Sequence, residues 1–272
     1  MDRIENIVQH CTDPEQKRLL TAACRAALVG GSIIRELYNT PHDITMKGAI
    51  NLVTEADVAS ESAIITSLNE DAPGMAFMAE ESAGDNPKAP SGSVWIIDPL
   101  DGTTNFAHGF PFFAVSIGLL KDGVPQLGVV YCPMQDELFA ACRHTGAWLN
   151  GAPIGVTDTR FLVESLVATG FPYDIHKHLN TILAQMKAVL PKVRDIRRAG
   201  AAAVDLAYVA CGRLDGFWEL DLQPWDTAAG WLLVTEAGGV VTDFSGNEYS
   251  PFFPEILAAN KKLHPLLKDL LG

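Results

Sequence analysis

Residues 94–109 read VWIIDPLDGTTNFAHG and change character abruptly. The apolar run VWII is typical of a buried strand, and Asp98 and Pro99 follow it directly. Because proline has no amide hydrogen, Pro99 is predicted to end strand pairing and to leave Asp98 at the carboxyl end of the strand. Asp101 and Gly102 come next. The stretch therefore predicts two carboxylates and a tight turn at the edge of a sheet.

The turn after these acids favours a phosphate, while the acids repel one. Gly102 permits backbone angles that other residues avoid, and Thr103 or Thr104 could cap a short helix whose free amides attract phosphate. A cation between acids and phosphate resolves this conflict, and Mg²⁺ binds both kinds of oxygen. By itself a DxxDG pattern is more often a solvated turn. It lacks the spacing of a calcium-binding loop, and nothing marks either acid as a phosphorylated nucleophile.

Acidic residues elsewhere in the chain, considered together with this turn, indicate a metal-phosphate site. Glu80 and Glu81 follow the apolar run MAFMA, Asp226 precedes an apolar helical segment, and Asp57 lies in NLVTEAD with Lys47 nearby. Taken separately, the glutamates are more often solvated and Asp226 is more often a simple helix cap.

The composition limits the classes of protein to consider. A net charge of −13 argues against a protein that coats nucleic acid, because such proteins carry a basic excess. There is no apolar signal segment at the N-terminus and no apolar run long enough to span a bilayer, so we expect a cytoplasmic protein without membrane contact. The five cysteines form no CxxC pair and are expected to be free thiols.

The predicted order of helices and strands differs between the first and second halves of the chain. Helical periodicity covers residues 14–38 and 55–70, and residues 113–154 alternate apolar runs with turn signals, which is typical of an antiparallel meander. Further on, strand-like and helix-like segments alternate. We therefore predict an α+β half with an antiparallel sheet over residues 1–155 and an α/β half over residues 156–272, joined in one compact body.

Two long motifs, WIIDPLDGTTNFAHGFP and PWDTAAGWLLVTEAGG, resemble the signature segments of the inositol monophosphatase family. Four shorter segments match as well, in order and at plausible spacing: NLVTEAD, AEES, TGFPYD and IRRAGAAAVDLAYVACGRLDGFWE. The resemblance covers nearly the whole chain and is strongest to the bacterial inositol-1-monophosphatase branch.

This resemblance implies a fold and an activity. The fold is a layered αβαβα sandwich. The activity is the Mg²⁺-dependent, lithium-sensitive hydrolysis of myo-inositol monophosphate to inositol and phosphate, by direct attack of a metal-activated water. Two to three Mg²⁺ ions are implied, with Mn²⁺ as a substitute, and a homodimer is implied as well.

Site residues follow from the resemblance position by position. The implied metal ligands are Glu80, Asp98, Asp101, Asp226 and the backbone carbonyl of Leu100. Thr103, oriented by Asp57, is implied to take the proton of the attacking water together with Glu80. Lys47 matches a lysine on a loop near a weakly bound metal.

The implied substrate-binding residues lie mostly in the second half: Asp101, Gly102, Thr103, Arg197, Gly200, Ala201, Ala202, Glu219 and Asp226. Many relatives have serine or threonine at the position of Ala201, so one hydroxyl contact is absent here. Arg198 beside Arg197 is as well explained by a solvated basic pair. No histidine is assigned to a metal.

Other functions stay open at this point. Within the same family they are fructose-1,6-bisphosphatase, histidinol phosphatase and 3′-phosphoadenosine phosphatase activities, although the sequence shows no aromatic clamp for an adenine. A different class is a role as a partner of the transcription machinery, either alone or beside the enzymatic role. The acidic charge gives association with nucleic acid no support.

Overall fold

The computed structural model describes residues 3–38, 40, 45–46, 52–83, 88–89 and 91–272. The α-helices are α1 (Arg3–Val8), α2 (Pro14–Leu37), α3 (Glu55–Asp71), α4 (Thr103–Ala107), α5 (Ile175–Val189), α6 (Ala202–Ala210), α7 (Pro224–Glu236) and α8 (His264–Leu271). The strands are β1 (Thr45–Met46), β2 (Leu52–Val53), β3 (Ala76–Ala79), β4 (Ser93–Asp101), β5 (Ala114–Lys121), β6 (Val124–Cys132), β7 (Glu137–Cys142), β8 (Gly146–Leu149), β9 (Ala152–Pro153), β10 (Leu166–Thr169), β11 (Asp195–Arg197), β12 (Gly216–Leu220), β13 (Val240–Thr242) and β14 (Glu255–Ala259). Among these described helices, none is both long and apolar enough to cross a membrane.

Helices and sheets alternate in five layers, which confirms the predicted αβαβα sandwich. Helices α2 and α3 cover one face of a sheet formed by β3 to β9. Helices α6 and α7 lie between this sheet and a second sheet formed by β10 to β14, and α5 and α8 cover the outer face of the second sheet. Buried apolar side chains fill each gap between layers, so the helices of each layer have apolar side chains against a sheet.

The first sheet is a meander, as predicted. Strands β4 to β9 pair in sequence order and are antiparallel, and β3 adds to the edge in parallel with β4. Two of the turn signals within residues 113–154 are Asp122-Gly123 and Asn150-Gly151. Both pairs have left-handed backbone angles, φ 50° and 78° in the first pair and φ 49° and 88° in the second. Such angles match the twist of a two-residue hairpin.

The strand in the opening motif does not end where the sequence predicts. Asp98 pairs with Ser116 and Asp101 pairs with Ala114, so pairing resumes after Pro99 and two residues of β4 oppose one residue of β5. This is a β-bulge, which accommodates a proline without a ladder hydrogen bond. Because side chains alternate along a strand, residues three apart would face opposite sides, and the extra residue turns them to the same side. The bulge therefore points both carboxylates at the α6–α7 layer.

Helix α7 lies directly on the first sheet because β5 and β6 carry a cross-strand pair of glycines. Gly118 is opposite Gly128. A Cβ atom at Gly118 would lie 2.9 Å from the Cβ of Ala228, and one at Gly128 would lie 2.6 Å from the carbonyl oxygen of Ala229. Both distances are too short for an added methyl group, so this helix position requires both glycines.

The second sheet is mixed, with the order β11-β10-β12-β14-β13. β10 is parallel to β11 and β12, whereas β14 is antiparallel to β12 and β13. The sequence pattern predicts no element after residue 239, where the structure has β13, β14 and α8. The division at residues 155 and 156 stays a prediction, and the α6–α7 layer contacts both sheets.

Candidate active site

Glu80 and Asp98 occupy adjacent positions at the ends of two paired strands. Ala79 of β3 is opposite Ile97 of β4, and the amide of Glu80 donates to the carbonyl of Ile97 at 3.1 Å. Inside the bulge, Oδ1 of Asp98 accepts from the amide of Leu100 at 2.9 Å. Asp98 is buried and Glu80 is partly exposed. Parallel pairing thus brings two distant acids of the sequence to one edge of the sheet.

Asp101 joins the bulge to helix α6. Its Oδ2 accepts from the amide of Ala203 at 2.8 Å, in the first turn of that helix. Burial raises the pKa of Asp101 to about 7 and the charge of Glu80 adds to this rise, while the α6 amides oppose it. Asp101 is therefore held in place at the boundary between the two halves of the chain.

Thr103 and Asp57 form the hydrogen-bonded pair that the family resemblance implies. The hydroxyl of Thr103 lies 2.9 Å from Oδ1 of Asp57 and 3.1 Å from the carbonyl oxygen of Leu100. Oδ2 of Asp57 accepts from the amide and the hydroxyl of Thr54, at 2.8 and 2.7 Å, in a capping box that begins α3. Burial raises the pKa of Asp57, and the hydrogen bonds from Thr54 and Thr103 partly offset the rise.

Gly102 precedes the short helix α4 as its N-cap, so the prediction of a threonine cap is wrong. Gly102 has φ 98°, and no side chain caps the helix. A Cβ atom here would lie 3.0 Å from the carbonyl oxygen of Phe112 and 3.3 Å from the Cβ of Ala201. Glycine is therefore required both for the left-handed angle and for the close approach of the second half.

Asp226 lies in the first turn of α7, not before the helix as predicted. The helix begins at Pro224, and Oδ2 of Asp226 accepts from the amide of Gln223 at 2.7 Å. Because α7 lies directly on the first sheet, the carboxyl of Asp226 lies near β3 and β4. Burial raises the pKa of Asp226 well above its ordinary range, and the charges of Asp101 and Glu80 add to the effect.

These acids form one electrostatic group. Burial raises the pKa of Asp98 well above its ordinary range, and repulsion from Glu80, Asp101 and Asp226 adds to it. Within the described part of the chain, no three acidic, histidine or cysteine side chains are already arranged as a metal-binding group. The donors nevertheless fit a hard divalent cation, because all are oxygens and the cation would cancel their mutual repulsion.

A cleft of about 350 Å³ opens beside the acids. Its lining includes predicted site residues from both halves: Asp101, Gly102, Gly200, Ala201, Ala202, Glu219 and Asp226. Glu219 is only 8% exposed, and burial raises its pKa well above the ordinary range. Lys47, which was predicted to lie on a nearby loop, is outside the described residues.

The structure does not bring Arg197 to this cleft. Its guanidinium donates to Asp195 at 2.6 Å on the exposed edge strand β11. Arg198 lines the cleft instead. Neighbouring side chains on an extended segment point to opposite sides, so a shift of one residue exchanges the inward and the outward arginine.

Three further residues line the cleft that the sequence analysis does not select. Nδ2 of Asn105 donates to the carbonyls of Phe112 and Ala199, at 2.7 and 2.9 Å, and so ties α4 to the turn before α6. Phe171 and Tyr173 also line the cleft, although the sequence predicts no aromatic clamp. Only their position in TGFPYD connects them with the site.

Comparisons with known proteins agree with this geometry. Residues 15–271 match the model of the inositol monophosphatase family, whose members are generally metal-dependent. The chain is 44% identical over 254 residues to an inositol-1-monophosphatase of Synechocystis sp., covering 93% of this chain and 88% of that protein. It is 42% identical over 247 residues to the Nus factor SuhB of Escherichia coli K12, covering 90% and 92%.

A solved structure of an inositol monophosphatase from Anabaena (Nostoc) sp. superposes with a TM-score of 0.83 at 41% identity, covering 93% of this chain and 94% of that chain. The family match and this likeness both span the layered fold and the cleft. The chain therefore belongs to the inositol monophosphatase family and is a phosphatase.

Proposed function

We propose that the protein is a Mg²⁺-dependent phosphomonoesterase that hydrolyses myo-inositol monophosphate to inositol and phosphate. The observation that carries this proposal is the grouping of four acids from β4, α7 and the residue after β3. Asp101 and Asp226 line the cleft, and their charges and that of Glu80 all act on the buried Asp98. The buried acceptor Glu219 lies in the same cleft, at a position suited to a hydroxyl of the substrate alcohol.

The metal ions would be held by the four acids and the carbonyl of Leu100. Bound Mg²⁺ supplies charge neutralisation for the phosphate dianion, the leaving alkoxide and these acids, and it lowers the pKa of a water. The acids would fix these ions beside the cleft, so that the bound phosphate would be open to in-line attack by water without a covalent intermediate. Gly102 gives the phosphate access to the backbone at the start of α4.

Proton transfer is assigned to Thr103, Asp57 and Glu80. The hydroxyl of Thr103 donates to Asp57 at 2.9 Å, so its oxygen is left to accept a hydrogen bond from the attacking water. Because threonine is a weak base, the carboxylate of Glu80 holds the proton. Asp57 is buried and fixed by Thr54, so it orients Thr103.

The test is a panel of phosphate esters, compared by kcat/KM. It contains myo-inositol 1-phosphate, fructose 1,6-bisphosphate, histidinol phosphate and 3′-phosphoadenosine 5′-phosphate, each with Mg²⁺, with Mg²⁺ plus Li⁺, and with a chelator. We expect the highest kcat/KM for the inositol ester and none with the chelator. A higher value for another ester would replace inositol as the substrate, and turnover in the chelator would remove the metal assignment.

Without divalent cations, the free energy of unfolding is expected to fall as the pH rises from about 4 to about 7. Burial raises the pKa of Asp101 from 3.8 to about 7, so in this window the folded protein keeps a proton that the unfolded chain has lost. The resulting stability is complete below the unfolded pKa and disappears as the pH passes through the folded pKa. Each pKa unit corresponds to about 1.4 kcal/mol.

Urea unfolding at about pH 5 and about pH 8, with a chelator and with Mg²⁺, checks this prediction. Mg²⁺ should remove most of the loss at the higher pH, and Asp101→Asn should reduce the pH dependence in the chelator. Equal free energies of unfolding at the two pH values in the chelator would contradict the prediction.

Further properties are proposed from the family resemblance: inhibition by Li⁺, two to three Mg²⁺ ions with Mn²⁺ as a substitute, a homodimer and a cytoplasmic location. A second candidate function, as a partner of the transcription machinery, is favoured by the 42% identity to a protein named Nus factor SuhB. A pull-down with Asp98→Asn protein tests it, and the loss of every specific partner at high salt would count against it.

A further inference from the structure

We propose that Arg198, together with Glu219, recognises two adjacent hydroxyl groups of the substrate alcohol, and this inference rests on the proposed function. In this arrangement the guanidinium donates to the oxygen of one hydroxyl and the carboxylate accepts from the other. Arg198 is thereby a specificity-determining residue.

The guanidinium of Arg198 is held at the wall of the cleft. Its Cζ atom lies 5.1 Å from the ring centroid of Phe171, a cation–π distance. Its Nη1 atom lies over Gly200, where an added Cβ would be 2.8 Å away. Gly200 has φ 86°, so glycine both forms this turn and leaves room for the arginine.

The donors of Arg198 remain available to a ligand. Among the described residues, no acid lies within ion-pair distance of its guanidinium, whereas the guanidinium of Arg197 is occupied by Asp195. The charge of Arg198 still reaches two buried acids, Glu219 and Asp205, because it opposes the rise of both their pKa values. Arg198 thus lies near these acids but forms an ion pair with neither.

The acceptor in this pair is also fixed in place. Glu219, at the end of β12, lies over the α-carbon of Gly170, which follows β10. A Cβ atom at Gly170 would overlap both carboxylate oxygens of Glu219. Gly170 has no left-handed φ angle, so the space for this carboxylate is the reason for glycine here.

The charge around Arg198 favours a neutral diol over a second anionic group. Asp221 lines the same cleft as Arg198 and Glu219, and its carboxylate would repel a second phosphate there. A vicinal diol instead offers one O–H to the carboxylate and one oxygen to the guanidinium.

The experiment compares Arg198→Gln with wild type on two esters of the same ring size, myo-inositol 1-phosphate and cyclohexyl phosphate, which has no hydroxyl. We expect KM for the inositol ester to rise about 10-fold or more, since a hydrogen bond to a charged group contributes about 1.5–3 kcal/mol. The kcat value for the inositol ester, and kcat/KM for cyclohexyl phosphate, should stay within about 2-fold of wild type.

Two other variants make the result specific. Arg194→Gln is the matched control, because Arg194 is exposed and outside the cleft. This variant should leave kcat and KM unchanged for both substrates. Arg198→Lys keeps the charge but not the planar fork, so it should restore only part of the affinity. Full restoration by lysine would mean that charge alone matters and would overturn the diol assignment.

Three further outcomes would also overturn the proposal: an equal loss with both substrates, a larger loss with fructose 1,6-bisphosphate, and an effect at Arg197→Gln in place of Arg198→Gln. If wild type does not hydrolyse the inositol ester, the proposed function fails separately. The variants are then compared on the diol-containing ester that wild type hydrolyses best and on its deoxy analogue.

Discussion

Asp98→Asn is expected to lower kcat/KM for myo-inositol 1-phosphate by about 1,000-fold, or about 4 kcal/mol of transition-state stabilisation. The substitution removes the most central negative charge of the acid group while it preserves the shape of the side chain. The amide oxygen of asparagine can still accept from the amide of Leu100, which Asp98 does at 2.9 Å, so the bulge should remain. The measurement is kcat/KM across a Mg²⁺ titration, together with thermal unfolding.

Asp122→Asn is the matched control for this prediction. Asp122 lies in a hairpin turn with φ 50°, which asparagine also adopts, and its Oδ1 accepts from the amide of Gly92 at 2.8 Å. Its kcat/KM should stay within about 2-fold of wild type. A near-wild-type kcat/KM for folded Asp98→Asn protein would remove Asp98 from the catalytic centre.

Gly128→Ala is expected to lower the free energy of unfolding by about 1–3 kcal/mol, the usual cost of overpacking a core. The added methyl group would lie 2.6 Å from the carbonyl oxygen of Ala229, which belongs to the backbone of α7, so the helix must move. Asp226 moves with it, and a displacement of about 1 Å at a catalytic centre lowers activity by about 100-fold. Chemical unfolding and kcat/KM measure the two effects.

Gly155→Ala provides the control for glycine replacement. A Cβ atom at Gly155 would have its nearest neighbour at 3.7 Å, an ordinary contact, and its φ angle is not left-handed. Its stability and activity should stay close to those of wild type. If Gly128→Ala behaves like Gly155→Ala, the glycine pair does not determine the position of α7 and Asp226.

Much of the fold is readable from sequence because its signals are local. Helical periodicity predicts α2 and α3 nearly to their ends, and Asp122-Gly123 and Asn150-Gly151 mark the hairpins of the meander. The strands and helix after residue 239 are missing from the prediction. β13 and β14 are short, and α8 has eight residues, so long-range packing decides their form.

The candidate site divides in the same way. The acids could be selected by motif, because carboxylates at Asp98, Asp101 and Asp226 are the residue types that a metal–phosphate site needs. The motif selects Arg197, whereas the structure places Arg198 at the cleft and pairs Arg197 with Asp195. Which of the two side chains faces the cleft depends on where β11 ends and on the turn at Gly200.

The sequence by itself determined the donor chemistry of this protein: which carboxylates, which hydroxyl and which glycines are available. The tertiary structure decided where they point. A bulge in β4 turns Asp98 and Asp101 to the same face of the first sheet. The glycine pair Gly118–Gly128 lets α7, which carries Asp226, lie directly on that sheet. Both depend on pairing and close packing between segments far apart in the chain, which residue types encode only jointly.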